Sequence, residues 1–402
     1  MHQSATEEDW TRLGIDAAVG VGLILALALV FALDRGPATK PAGLSEESSE
    51  VESPATDGAV GPARPLRLAV TEPEYDDMGR LLDTLGAGYR YTTIRQEDLL
   101  DPSRLAAYDV VFLTCGGAPR EWLSERTGPS ERGGSGVFQA RPEILDQIRT
   151  SLRQFVGRGG TLYASDWRIE LLAIAFPEFV DRYAMDKGMV QTVEAEVVDA
   201  GLRRRLGPTI GLRFDQPSWR PAAIAGPEAR TYLQGTYENL DGRRLAAPLL
   251  VTFPFQEGMV VFTSFHNEAQ NTETELELLR YLVFTTVTAR EEAKIKQTML
   301  RGGLSPKERS LLAATGGGEP IEESYRCQTR GRLQFVLGFE DQGGRLKLEV
   351  TAPDGRRYEK TGTSTLSIEI ADAMPGTWRY SVTPLEVPYR NFPFTLTVGE
   401  EP

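Results

Sequence analysis

Cysteine and histidine are scarce in this sequence. Its 402 residues include two cysteines and two histidines. Cys115 and Cys327 fall in different predicted domains, so an intrachain disulfide framework is not expected. His2 lies in the N-terminal tail, which leaves His266 as the histidine of the folded region that is available for acid–base chemistry or metal binding.

Positive charge is also in short supply. Lysine and arginine total 44 against 57 acidic residues, so the net charge at pH 7 is −13. A nucleic-acid or anionic-lipid surface needs clustered basic residues, and this balance argues against both. The sequence contains no P-loop and no G-x-G-x-x-G after a strand. We therefore expect no nucleic-acid partner, no nucleotide and no other cofactor.

One long apolar run stands near the N-terminus. Gly14 to Leu33 reads GIDAAVGVGLILALALVFAL and ends sharply at Asp34. At a rise of about 1.5 Å per residue this run crosses a hydrocarbon core of about 30 Å, which predicts a transmembrane helix. Acidic residues before the run and the lack of a small-x-small cleavage site favour a retained anchor over a signal peptide. The sequence thus predicts a single-pass membrane protein with an N-terminal tail, residues 1–13.

The charges that flank this run encode its orientation weakly. Arg12 precedes it, whereas Arg35 and Lys40 follow it, a balance that slightly favours a cytoplasmic location of the soluble bulk. The C-terminal domain is of a kind usually met outside cells. On that ground we expect the soluble domains on the extracytoplasmic face.

Residues 34–65 separate the apolar run from the rest of the chain. They are rich in Ser, Glu, Pro, Ala and Gly and contain almost no large apolar residue. Such a composition cannot bury enough surface to offset the entropy cost of ordering, so a disordered linker is expected. The remaining residues suffice for one large and one small domain.

Strand-like and helix-like segments alternate over residues 66–288. Leu66–Val70, Asp109–Leu113 and Thr161–Ala164 are short apolar runs typical of buried strands, and Pro142–Val156 has the spacing of a helix. This alternation predicts an α/β domain whose parallel sheet is covered on both faces. Ligands bind such sheets at the carboxyl ends of the strands, which directs attention to the loops after Leu113, Ala164 and Phe265.

Those three loops carry the candidate site residues. The first reads Thr114-Cys115-Gly116-Gly117, and its glycines let backbone N–H groups approach an anion or a carbonyl group. The others read Ser165-Asp166-Trp167 and Phe265-His266-Asn267-Glu268. The candidate catalytic residues are Cys115, Ser165, His266 and Glu268, and the candidate ligand-binding residues are Gly116, Gly117, Asp166 and Trp167.

The order and spacing of these loops resemble the class I glutamine amidotransferase-like family, over roughly residues 66–284. Asp109 to Gly117 is similar to the strand and Gly-Gly oxyanion loop of that family. Gly159 to Trp167 falls where its nucleophile elbow lies, and Phe265 to Glu268 is similar to its F-H-P-E segment, with Asn in place of Pro. The resemblance implies a flavodoxin-like fold, with His266 as a base and Glu268 as the residue that orients it.

The sequence departs from that family at the elbow. The family has G-x-C-x-G there, whereas this chain has Tyr163-Ala164-Ser165-Asp166-Trp167, with neither glycine nor cysteine. Ser165 or Cys115 would have to serve as the nucleophile, although Ser165 and Asp166 could instead cap the following helix. A metal site is not expected, because His266 with Asp166 and Glu268 gives an incomplete ligand set.

The C-terminal part of the sequence has a different periodicity. Residues 289–324 are charged and helical in pattern, and we interpret them as a helical connector. From residue 325 to 400 short segments alternate apolar and polar residues between turn signals such as Pro353-Asp354-Gly355. This pattern predicts an antiparallel β-sandwich, and its strand-and-turn pieces resemble Ig-like or pre-peptidase-type C-terminal modules.

Two function classes remain open from the sequence. The first is a membrane-anchored, non-catalytic binding or scaffold protein whose partner is an unidentified protein or small molecule. The second is a hydrolase or amidotransferase that uses Cys115 or Ser165 with His266 and Glu268. Hydrogen-bond approach of either nucleophile to His266 would favour the enzyme, whereas separation or a filled pocket would favour the binding protein.

Overall fold

The computed structural model describes residues 66–126, 137–181, 186–314, 319–339 and 343–402. No helix within these ranges has the length and apolar character needed to cross a membrane. The predicted tail 1–13, the predicted span Gly14–Leu33 and the predicted linker 34–65 precede residue 66 and lie outside the described residues. The anchor therefore stays a prediction.

Five parallel strands form the centre of the α/β domain. They are β1 (Leu68–Thr71), β2 (Tyr91–Ile94), β3 (Val110–Leu113), β6 (Thr161–Ser165) and β11 (Gly258–Thr263). They lie in the order β2-β1-β3-β6-β11 and all pair in parallel. Among the strands of this parallel set the chain order is 2-1-3-4-5, the flavodoxin-like arrangement. The predicted fold of this domain is confirmed.

Helices cover both faces of this sheet. They are α1 (Met78–Leu85), α2 (Pro102–Leu105), α3 (Pro142–Gly157), α4 (Ile169–Ala175), α5 (Ala200–Leu206) and α6 (Glu273–Arg301). Alternate residues of β3 lie on opposite faces of the sheet. Phe112 packs in the core under α1 and α6, whereas Val111 packs in the core under α3 and α4. This two-sided burial explains why a central strand such as β3 is a continuous apolar run.

An antiparallel extension enlarges the sheet beyond β11. It consists of β7 (Gln191–Val197), β8 (Thr209–Phe214), β9 (Arg230–Glu238) and β10 (Arg244–Phe255), in the order β11-β10-β9-β7-β8. A separate hairpin, β4 (Leu123–Arg126) with β5 (Val137–Ala140), follows β3. The extension places the end of β8 beside the loop that follows β11, which matters for the site.

The long helix α6 links the sheet to the C-terminal sandwich. Thr272 caps its start in a capping box with Glu275, and the helix continues without interruption through residue 288 to Arg301. The predicted connector 289–324 is thus helical only in its first part. Residues 305–314 form a strand, because their backbone pairs along the whole of the last strand of the sandwich.

The C-terminal β-sandwich is confirmed, with an earlier start than residue 325. Its two sheets have the orders β12-β19-β14-β17 and β13-β18-β15-β16. The strands are β12 (Ser305–Ala314), β13 (Ile321–Cys327), β14 (Gly331–Gly338), β15 (Arg345–Thr351), β16 (Arg357–Gly362), β17 (Leu366–Ala373), β18 (Gly376–Glu386) and β19 (Phe392–Glu400). Trp378 and Phe335 are fully buried between the sheets.

The sandwich packs against the α/β domain, and both belong to one compact unit. Tyr89, just before β2, donates a hydrogen bond from its hydroxyl to the Asn391 carbonyl at 2.6 Å. The Tyr389 ring packs edge-on against the Tyr89 ring, with centroids 5.9 Å apart. At the other end of the interface Ile295 and Met299 of α6 pack with Val336 of β14.

Candidate functional site

The candidate residues lie at the carboxyl ends of three neighbouring strands. Cys115 follows β3, Asp166 follows β6, and His266 follows β11. Because β3, β6 and β11 are adjacent and parallel, their ends meet at one edge of the sheet. The thiol, a carboxylate oxygen and a ring nitrogen of these residues all lie within 4.8 Å of one another. The structure therefore brings together residues from the three loops that the sequence analysis singled out.

His266 lies between two carboxylates. Its Nε2 is 3.1 Å from Oδ2 of Asp166, and its Nδ1 is 3.0 Å from Oδ1 of Asp215. Burial alone would lower the pKa of His266, but its hydrogen bonds with Asp166 and Cys115 outweigh burial and raise that pKa above its ordinary value. The imidazolium form, which donates from both nitrogens, therefore fits this position.

Asp215 is a site residue that the sequence did not predict. It follows β8, and its side chain is 35% exposed, so it covers the outer side of the buried imidazole. Nothing in the local sequence marks it, because only the antiparallel extension brings the end of β8 to the loop after β11.

Asp166 stands on the turn between β6 and the following helix, with a backbone φ of +47°. This left-handed conformation is costly for a residue with a Cβ, and it directs the carboxylate toward His266 and Cys115. Oδ1 accepts the backbone N–H of Arg220 at 2.5 Å, while the Cys115 thiol donates to Oδ2 at 3.4 Å. Burial raises the pKa of Asp166, and its hydrogen bond with His266 opposes that rise.

Ser165 is the last residue of β6, and its side chain is fully buried. Nε2 of His266 contacts the Asp166 carboxylate, and Nδ1 contacts the Asp215 carboxylate. Ser165 is therefore not the hydrogen-bond partner of either ring nitrogen. Neither Ser165 nor Asp166 caps the turn after β6 or α4 with its side chain, so the capping interpretation is wrong. The strained turn places Asp166, rather than Ser165, beside the histidine.

Cys115 is 1% exposed. Burial raises the pKa of its thiol, while a hydrogen bond with His266 works in the opposite direction without cancelling the rise. The thiol does approach the histidine, as the enzyme hypothesis requires. However, it is kept in its protonated form, and it donates to Asp166.

The glycines after Cys115 contact a side chain of the same domain. The Gly117 N–H, in the loop that resembles an oxyanion hole, donates to Oε2 of Glu74 at 2.8 Å. A Cβ on Gly116 would lie 2.5 Å from the same oxygen and 2.7 Å from Nη2 of the buried Arg168. A side chain at position 116 would therefore displace the Glu74 carboxylate or the Arg168 guanidinium. The N–H of Gly117 is already occupied by a carboxylate.

Glu268 does not orient His266. It pairs with Arg80 at 2.5 Å on the surface, and its side chain is 39% exposed. The preceding residue, Asn267, faces the opposite side of the loop and contacts Asp76 through both its backbone and its side-chain amide. The role that the resemblance assigned to Glu268 is filled in this structure by Asp215.

Trp167 is half-buried at the edge of the same cluster. Two cations lie over its ring, Lys187 at 4.7 Å and Arg220 at 5.4 Å from the centroid. Such contacts stabilise a tryptophan at a partly exposed position. Trp167 is thus held between two cationic side chains, and its role as a candidate ligand-binding residue stays a prediction.

The crevice next to His266 is too narrow to admit a water molecule. Its lining residues are Phe214, Asp215, Gln216, Trp219, Ser264 and His266. A roomier cavity, of about 520 Å³, lies elsewhere. Gly159, Glu257 and Met259 line it together with the α6 residues Arg290 and Lys296, so it opens at the beginnings of β6 and β11, the edge opposite to His266.

The chain matches no protein-family model and no curated protein. Among solved structures it is similar to a glutamine amidotransferase from Thermotoga maritima, with 13% identity over 60% of this chain and 94% of that chain, at a TM-score of 0.29. It is similar to PurLQS from Thermotoga maritima, with 13% identity, 54% and 97% coverage, and a TM-score of 0.30. A candidate GMP synthase component from Thermoplasma acidophilum gives 15% identity, 57% and 98% coverage, and a TM-score of 0.36. All three TM-scores are below 0.5, so the fold assignment rests on the strand order of this chain.

Proposed function

We propose that this protein is a non-catalytic binding and scaffold protein, anchored in a membrane by residues 14–33, with its soluble domains on the extracytoplasmic face. The observation that carries the proposal is the position of the Asp166 carboxylate and its contacts. It occupies the strained turn where an amidotransferase-like domain presents its nucleophilic thiol, and its two oxygens already contact Cys115, His266 and the Arg220 N–H. A carboxylate held in this way is not a free nucleophile.

Three further observations support the proposal. The Cys115 thiol is buried and its pKa is raised, which disfavours the nucleophilic thiolate. The Gly117 N–H, which an oxyanion would need, is occupied by Glu74. The crevice that Asp215, Trp219 and His266 line is too narrow to admit a water molecule. A small-molecule partner has more space in the cavity of about 520 Å³ at the opposite edge.

The alternative is a hydrolase or amidotransferase in which Cys115 attacks and His266 acts as base. The approach of the thiol to His266 is the one observation that favours it. For that chemistry the Glu74 carboxylate would have to leave Gly117, and the cluster would have to open to solvent. Both changes would break contacts that are present in the structure.

The test is an activity and reactivity assay on the full-length chain in detergent. Glutamine and a panel of activated esters are offered as substrates, and alkylation of the two thiols is followed by mass spectrometry. Cys327 is an internal reference, because it is also buried and its pKa is raised to about 11. We expect no turnover and slow alkylation at both cysteines. Hydrolysis that is lost in Cys115→Ser and His266→Gln but kept in Cys327→Ser would overturn the proposal.

A further inference from the structure

Three chemically different donor atoms meet at the edge of the sheet. Oδ2 of Asp166 is 3.4 Å from Sγ of Cys115 and 3.1 Å from Nε2 of His266. Each donor comes from the end of a different strand, and all three residues are at most 5% exposed. The ligand set considered from the sequence included Glu268 and left out Cys115. The structure removes the first from the cluster and adds the second.

We propose that Cys115, Asp166 and His266 bind a zinc ion. Bond lengths of about 2.0 to 2.3 Å at tetrahedral angles separate an oxygen and a nitrogen ligand by about 3.3 Å, and an oxygen and a sulfur ligand by about 3.5 Å. The distances in this cluster are close to both values. One thiolate, one imidazole and one carboxylate suit zinc, whereas magnesium and calcium prefer oxygen ligands alone.

The groups around the three donors are those that a zinc site needs. A histidine that binds a metal through one ring nitrogen usually donates the other N–H to a carboxylate, and Asp215 is that carboxylate for His266. The Arg220 N–H holds Oδ1 of Asp166 and leaves Oδ2 directed at the cluster. The left-handed backbone of Asp166 directs this carboxylate toward the cluster.

Charge is balanced when zinc binds. The ion displaces the thiol proton of Cys115 and the Nε2 proton of His266, so two protons are released. The thiolate and the Asp166 carboxylate then neutralise the two positive charges of the ion. The ion would join the ends of β3, β6 and β11, a structural role that goes beyond the proposed binding function and does not depend on it.

The experiment uses the full-length chain in detergent, stripped with a chelator and titrated with Co²⁺ as a spectroscopic substitute for Zn²⁺. We expect one equivalent to bind, with a thiolate-to-cobalt charge-transfer band and the visible bands of a tetrahedral ion, and Zn²⁺ to displace it. Cys115→Ser should lose the charge-transfer band. Asp215→Asn keeps all three ligands and should weaken binding by about 10- to 100-fold.

Two matched controls make the result specific. Glu268→Gln changes an acidic residue of the same loop that pairs with Arg80, and Cys327→Ser removes the other thiol, so both should bind cobalt as the wild type does. The proposal is overturned if the wild type gives no charge-transfer band, or if Cys327→Ser alone abolishes it. It is also overturned if Asp215→Asn binds as tightly as Glu268→Gln. Should Cys115→Ser fail to fold, the last comparison decides. Metal binding with no hydrolase activity would leave both proposals standing, and each can fail without the other.

Discussion

Oδ1 of Asp76 accepts a hydrogen bond from the backbone N–H of Asn267 at 2.9 Å, across a sequence separation of 191 residues. The same carboxylate also accepts the Glu268 N–H at 3.2 Å and the Asn267 side-chain amide at 3.1 Å. Asp76 is 1% exposed. Burial raises its pKa to about 6, although the charge of His266 and these hydrogen bonds oppose the rise. This loop contact therefore makes stability depend on pH.

Asp76→Asn should stabilise the protein at neutral pH. The pKa of Asp76 is about 6 in the folded protein and 3.8 as its ordinary value, so the folded state binds the proton more tightly. The contribution of Asp76 to stability is therefore fully present below about pH 4 and is lost as pH rises to about 6. A shift of about two units is worth about 3 kcal/mol. The asparagine keeps an acceptor for the two N–H groups, and the amide of Asn267 can turn to accept from the new amide.

Denaturant unfolding at several pH values checks this. The free energy of unfolding of Asp76→Asn should exceed that of the wild type at pH 7 by up to about 3 kcal/mol, and the difference should shrink toward zero near pH 4. A variant that is less stable at pH 7, or a difference that does not change with pH, would contradict the prediction.

Asp215→Asn and Glu268→Gln should differ in their cost to stability. Glu268 pairs with Arg80 on the surface, so its loss should cost less than about 1 kcal/mol. Asp215 accepts from a buried imidazole, and replacing this charged acceptor should cost about 1–3 kcal/mol. Chemical denaturation of both variants under one condition gives the comparison. A larger cost for Glu268→Gln would contradict the prediction. It would support the role that the family resemblance implies for Glu268, which is to orient His266.

The interface between the α/β domain and the sandwich should also respond to single substitutions. A Cβ on Gly88 would lie 2.2 Å from the ring of Tyr389, so Gly88→Ala must push that ring off Tyr89. We expect the wild type to unfold in one thermal transition, and Gly88→Ala and Tyr389→Ala each to destabilise the protein by about 1–3 kcal/mol and to give two transitions. Gly355→Ala in an open turn of the sandwich is a useful comparison, because its φ of +89° costs stability while no atom lies near the added Cβ. One unsplit transition in Tyr389→Ala would show that other contacts couple the domains.

The periodicity of the sequence was enough to predict the parallel sheet and the sandwich. The fully buried strand β3 is apolar throughout, whereas sandwich strands such as β15 alternate apolar and polar residues, so each pattern indicates the burial of its strand. Residues 305–314 gave the wrong signal. Their Lys, Glu, Leu and Ala content is typical of helices, but pairing with β19 overrides this local preference.

The site was predictable only as far as the loops are concerned. Cys115, Asp166 and His266 were all chosen because they follow buried strands, and the structure brings them together. Which of them bond to one another depends on a backbone angle at Asp166 and on the position of Asp215. The backbone angle of Asp166 is a property of the turn after β6. The position of Asp215 depends on a sheet extension whose pairing partners lie far apart in sequence. Neither quantity has a local sequence pattern.

The predicted anchor leads to the last prediction. Arginine at the centre of a membrane-spanning helix costs about 2.5 to 3.5 kcal/mol per residue, so Leu25→Arg with Leu27→Arg should prevent insertion of residues 14–33. The wild type should remain in the membrane fraction after an alkaline carbonate wash, whereas the double variant should be released. The same change at Leu44 and Val51, in the predicted linker, is the matched control and should not release the chain. Protease added to intact cells should digest the soluble domains if they face outward. Release of the wild type by carbonate would remove the anchor from the proposed function, and protection from protease would reverse its orientation.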